Sequence, residues 1–161
     1  MYLENDETGV VSVFANYQLG WSPASPEDPP VSQEKIDAYK LVVEKKARGL
    51  ELQVKFYEWV AAGFLYAESR FDLSANGIEN VRLKNALPLT TPNRFKYFAL
   101  PDEQGIEVQH DFEDETGWDG FYEGIIVERD RIMVYKNSKK TEINAASTPA
   151  AVAAVVINFS P

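Results

Sequence analysis

A chain of 161 residues with 45% hydrophobic and 25% charged side chains carries ordinary globular composition, enough for one domain spanning 1–161 and not a recipe for disorder. It contains no cysteine, which removes disulfides, thiolate metal sites and cysteine nucleophiles together, and its formal charge of −9 opposes any surface built to neutralise nucleic-acid phosphates. No stretch approaches the roughly 18 consecutive apolar residues of a membrane span, and the acidic start from Met1 to Glu7 lacks the basic and apolar regions of a signal peptide, so the expectation leans to the cytoplasm while the compartment stays open.

In chain order, Thr8 to Trp21 predicts a half-buried strand. Val11, Val13, Ala15, Tyr17, Leu19 and Trp21 alternate there with Ser12, Phe14, Asn16, Gln18 and Gly20. Pro23, Pro26, Pro29 and Pro30 follow within a few residues and make a stiff extended connector. Residues 1–31 therefore read as an N-terminal strand plus a Pro-rich arm.

Residues 32–76 read as one long helix. Ile36, Tyr39, Val43, Ala47, Leu50, Val54, Tyr57, Ala61 and Phe64 recur at steps of three or four, the period of one helix face. Ser32 is placed to accept from the first free amides, and Glu34 and Asp37 suit the positive end of the dipole. Asn76-Gly77 reads as the stop, with Gly49 and Gly63 as internal weak points. The stripe admits two readings. It lies under a sheet as the core face, or it packs against a second subunit, because Ala47 to Phe64 fits the a and d positions of a heptad.

Ile78 to Thr91 reads as an irregular connection. The remainder, 93–161, reads as antiparallel sheet. Strands are expected at Arg94–Leu100 and Ile106–Phe112 around a turn at Pro101–Gly105, then at Phe121–Glu128 and Arg131–Lys136 around Arg129-Asp130. Thr148-Pro149 could start a short helix, but Val152, Val155, Val156, Ile157 and Phe159 favour a closing strand. The predicted class is α+β, one long α-helix packed on an antiparallel β-sheet in the order β-α-β-β-β-β(-β). That order is similar to cystatin-like folds and to the globular heads of pilin-like proteins. The Gln-x-Val-x-Gly hairpin of cystatins and the apolar N-terminal helix of type IV pilins are both absent.

The negative charge is localised. Eleven acids fall between Asp102 and Asp130, against Arg129 as the only base. Three readings follow for this segment: a solvated face that maintains solubility, a docking face for a basic protein partner, or a calcium site. A docking face would use Glu113, Asp114, Glu115, Trp118, Phe121 and Tyr122, aromatic anchors set in a polar rim. A calcium site would use Asp111, Glu113, Glu115 and Asp119, although Thr116 and Tyr122 stand where an EF-hand loop needs Gly and Glu. No other cofactor is implied.

His110 is the only histidine and could act as a general base beside Asp111. No nucleophile elbow, phosphate loop or dinucleotide fingerprint accompanies it. The leading functional expectation is a non-enzymatic interaction or assembly module, either a structural subunit or an acidic inhibitor or immunity-type protein, docking through its acidic aromatic second half. Its partner would be a protein, basic or a second copy of itself, with no nucleic acid and no membrane span. Two alternatives stand beside it. One is a small enzyme or ligand carrier with Tyr57, Trp59 and Tyr66 lining a pocket and His110 or a carboxylate as base. The other is a calcium-stabilised extracellular or filament subunit with a pilin-like head.

Overall fold

The computed structural model describes residues 2–5, 11–13, 21–22, 32–102 and 104–159. It has the α+β class that the sequence predicts, with long helices and small antiparallel sheets. Three short N-terminal strands, β1 (Tyr2–Asn5), β2 (Val11–Val13) and β3 (Trp21–Ser22), form a sheet in the order β2-β1-β3. The expected strand at 8–21 is represented there by β2 and β3, and its middle and the Pro-rich arm lie outside the described residues.

The first long helix, α1, runs Gln33–Ala62. Its start is the one the sequence specifies: the Lys35 amide donates to Ser32 Oγ at 3.3 Å and the Ile36 amide to the Ser32 carbonyl at 3.1 Å. Its end comes earlier than residue 76. Gly63 takes φ +72, the left-handed conformation that terminates a helix, and the chain turns into a hairpin of β4 (Phe64–Tyr66) and β5 (Ser69–Phe71). Ala67 and Glu68, with φ 44 and 66, make the two-residue turn between them. Positive φ at both central residues matches the twist of the flanking strands, but neither residue is a turn former, so the sequence gives no warning.

Gly77 likewise lies inside a helix and does not stop one. It belongs to the first turn of α2 (Ala75–Asn85), where its amide donates to the capping Ser74 Oγ at 3.1 Å. Its missing Cβ leaves room for Asp72, whose carboxylate accepts from the Ser74 amide and hydroxyl at 2.7 Å each. The stretch expected to be irregular is thus partly helical.

The hairpin expected after residue 93 is present as β6 (Lys96–Phe98) and β7 (Gln109–Asp111), antiparallel with Tyr97 opposite His110. The strands expected beyond it are not. Glu115–Ala145 is a single helix, α3, and Pro149–Ala153 is a short helix, α4, capped by Thr148 Oγ1 accepting from the Ala151 amide at 3.1 Å. Trp118, Phe121, Ile125, Ile132 and Ile143 are the buried residues of α3, and their spacing is helical. Ile125-Ile126-Val127 resembles a strand core in sequence, yet the helix buries the first, half-buries the second and leaves Val127 exposed. The order of elements therefore departs from the cystatin-like and pilin-like arrangement after residue 112.

The described residues fall into two compact units. One holds the chain through Glu51 together with Lys139–Ile157. In it Arg48 donates from Nε to the Val155 carbonyl at 3.1 Å and Lys45 donates to the Asn144 carbonyl at 2.7 Å, and Ile143, Val152 and Val155 are buried. The other holds Leu52–Ser138 and Asn158–Phe159. Its core is an aromatic cluster. Phe121 lies 4.6 Å from Phe71 and 4.9 Å from Phe112, and Trp118 meets Phe112 edge-on at 5.3 Å. Such pairs add about 0.5–1.5 kcal/mol each beyond their buried area. No described helix is long and apolar enough to cross a membrane.

Candidate functional site

The apolar stripe of α1 is where sequence and structure diverge most usefully. Val43, Leu50, Val54 and Tyr57 are 45–58% exposed, and Ala47 and Ala61 on the same stripe are exposed as well. The helix faces its own domain with other residues, Leu52 and Phe56, which are buried, and Trp59 and Val60, which are half-buried. Val54 and Phe56 are two residues apart, about 200° around the helix, so the two faces are nearly opposite. Of the two readings of the stripe, the core-face reading does not describe residues 43–61.

The exposed positions repeat as a heptad. With Ala47, Val54 and Ala61 at a, the d positions are Val43, Leu50 and Tyr57. Asp37, Glu44, Glu51 and Glu58 then occupy every e position, and Tyr39, Lys46, Gln53 and Val60 occupy g. Arg48 pairs with Glu51 and Lys55 with Glu58 along the helix, the second pair at 2.6 Å. These pairs are solvent-exposed and individually worth well under 1 kcal/mol, but they hold the acids along the edge of the stripe.

The residues predicted to dock a partner from the acidic segment are distributed differently. Trp118 and Phe121 are fully buried, so they anchor the core and present nothing to a partner. Tyr122 is half-buried and packs against that core. Glu113, Asp114 and Glu115 surround the start of α3. Asp114 caps it, its Oδ1 accepting from the Gly117 amide at 3.0 Å, and the other two lie where the helix dipole favours negative charge. Glu115, Asp119 and Glu123 are all exposed at four-residue spacing, a solvated row on one face of α3. Among the described residues, no three His, Asp or Glu side chains gather in a metal-binding group, so Asp111, Glu113, Glu115 and Asp119 are not brought together.

His110 and Asp111 are neighbours on β7 and alternate across the strand. His110 is half-buried among aromatic rings, 4.7 Å from Phe112 and 5.9 Å from Phe71. Asp111 faces solvent, where the Gln109 amide at 2.7 Å and Lys96 at 3.2 Å hold its carboxyl below the usual value. Of the residues expected to line a pocket, Trp59 does line one, while Tyr57 belongs to the exposed stripe and Tyr66 to the aromatic core. Arg129 is not a turn residue. It lies within α3 with its guanidinium 5.1 Å over the Phe56 ring, and burial lowers its pKa.

Set against family models, curated proteins and solved structures, the chain matches none of them.

Proposed function

We propose that this protein is a non-enzymatic assembly module that self-associates through the exposed stripe of α1. The observation that supports this reading is the unbroken a/d series from Val43 to Ala61 lying on the exposed face of a helix whose opposite face is buried at Leu52 and Phe56. Single exposed apolar residues are ordinary, but a contiguous stripe marks an interaction surface. Alanine at a positions allows close approach, and Val43, Leu50 and Tyr57 at d supply the apolar area.

Charge favours a second copy in parallel orientation. In that arrangement the g residue Lys46 faces Glu51 of the second copy, and Gln53 faces its Glu58. An antiparallel pair would instead set the acidic e positions against one another, which is repulsive. The docking surface is thus the first long helix in place of the acidic aromatic second half.

Light scattering on the full chain tests the proposal. The expected mass is twice the 18.1 kDa of the monomer. Leu50→Glu with Val54→Glu should return the monomer mass with an unchanged circular dichroism spectrum. A wild-type chain that stays monomeric at millimolar concentration, or a double variant that still dimerises, would remove the stripe as the assembly surface.

A further inference from the structure

Within the second unit lies a cavity of about 380 Å³ whose apolar lining includes Trp59, Phe64, Ile132 and Phe159. That volume falls in the range of small-molecule sites, which combine apolar walls with a few convergent polar groups. The polar groups here are Arg70, Glu128 and Arg131. We propose that this cavity binds a medium-chain monocarboxylate, its hydrocarbon tail among the aromatic side chains and its carboxylate on Arg70.

The walls are fixed by their own packing. Trp59 lies 4.8 Å from Phe159 and 5.4 Å from Tyr135. The Tyr135 hydroxyl donates to the Asn158 carbonyl at 2.8 Å and accepts from the Asn158 amide at 2.9 Å, so the segment that delivers Phe159 is held at both its backbone groups. A preformed apolar wall reduces the ordering cost of binding.

The charges select an anion with one carboxylate. Arg131 is already engaged, donating to both Glu128 oxygens at 2.9 and 3.0 Å and lying 4.8 Å over the Phe159 ring. Arg70 is different. It is exposed, it donates through Nη1 to the Ala62 carbonyl at 2.8 Å, and no described carboxylate pairs with it. That bond fixes the guanidinium at the end of α1 while Nε and Nη2 stay available as a two-pronged donor, the geometry that matches a carboxylate. With Glu128 offsetting Arg131, the lining keeps one net positive charge. A neutral alcohol of the same chain length would fill the apolar part equally and lose the paired hydrogen bonds.

Calorimetric titration of the full chain with decanoate and with decanol tests this. Decanoate should bind saturably at one site per chain, about tenfold or more tighter than decanol, and Arg70→Gln should reduce the two to similar affinity. Ala62→Phe, a change at an exposed lining position, should block both ligands while the melting curve shows an intact fold. The double variant in the α1 stripe should bind decanoate as wild type does, which separates this cavity from the assembly surface. Equal binding of decanoate and decanol, an unaffected Arg70→Gln, loss of binding in the stripe variant, or no saturable binding would each overturn the proposal.

Discussion

The indole N–H of Trp118 donates to Asn85 Oδ1 at 2.8 Å, and the same oxygen accepts from Arg94 Nη2 at 3.1 Å. Asn85 closes α2, Trp118 lies in the first turns of α3, and Arg94 leads into β6, so one side-chain oxygen joins three elements of the second unit. Arg94 is 5% exposed, stacks 5.0 Å over the Trp118 ring, and also donates to the Asn85 and Leu87 carbonyls at 2.8 and 3.0 Å. A cation there meets the negative end of the α2 dipole, which offsets part of its desolvation. Asn85→Leu keeps the volume, leaves the Trp118 N–H without its acceptor and removes one of the two acceptors of Arg94 Nη2. The expected loss is about 1–3 kcal/mol in urea unfolding, the cost of one unsatisfied buried donor beside a weakened charged one. A loss below ~0.5 kcal/mol would show that this junction does not hold the unit together.

Gly63 and Gly49 look equivalent as breaks in the periodicity of α1, and the structure separates them. Gly63 has φ +72, and a Cβ there would lie 2.9 Å from both Leu100 Cδ1 and the Phe71 carbonyl oxygen. Gly49 has nothing within 4 Å. Gly63→Ala is expected to destabilise by about 1–3 kcal/mol through strain and crowding. Gly49→Ala should stabilise by up to about 1 kcal/mol, because alanine is the better helix former and has room. Paired thermal and urea unfolding of the two variants reads the opposite signs directly.

These contrasts show which parts of the chain were readable. Local signals worked where a single residue type enforces the geometry. Ser32 starts α1, and Gly105 at φ +79 serves the turn between β6 and β7, its amide donating to the Asp102 carbonyl at 2.9 Å. Reading failed where the same residues suit two periods. In α3, Ile125, Ile126 and Val127 have strand propensity, and Arg129-Asp130 has the polarity of a turn. The competing helical series Trp118, Phe121, Ile125 and Ile132 was present but diluted by apolar neighbours such as Tyr122 and Ile126, which are half-buried. Tertiary packing on Phe71 and Phe112 decides the matter, and that information is not local. The acidic, aromatic segment is organised by the same packing: Trp118 and Phe121 are inward residues of α3, and Glu113, Asp114 and Glu115 cap and flank the start of that helix.

Tyr97 gives the second unit an alkaline limit. Its hydroxyl donates to the Gly77 carbonyl at 3.3 Å, and burial, with the nearby Asp72 charge, raises its pKa above the ordinary 10.0. A phenol with a raised pKa keeps its proton in the folded state where the unfolded chain has lost it. The stability from this difference is complete below pH 10.0 and declines as pH climbs through the raised value. Tyr97→Phe should therefore flatten the fall of melting temperature as pH rises above 10.0 relative to wild type, since other groups titrate alike in both chains. Parallel curves for the two proteins would exclude Tyr97 as the source of the alkaline decline.

Val54 and Phe56 carry the sharpest test of how α1 is oriented. By sequence, Val54 belongs to the core stripe and Phe56 lies off it. In the structure Val54 is 56% exposed and Phe56 is 7% exposed, with Arg129 and Lys136 over its ring at 5.1 and 3.9 Å. Phe56→Ala removes a buried ring and the partner of two cations, so it should cost about 3–5 kcal/mol. Val54→Ala removes exposed atoms and should change monomer stability by less than ~0.5 kcal/mol. At concentrations where the stripe is paired, however, the same Val54→Ala should lower the apparent melting temperature, because a second copy that binds only the folded state stabilises it by mass action. Unfolding curves recorded at dilute and concentrated protein thus read both faces of the helix with two substitutions. If Val54→Ala cost as much as Phe56→Ala at every concentration, the stripe would be the core face after all, and the assembly surface would have to lie elsewhere.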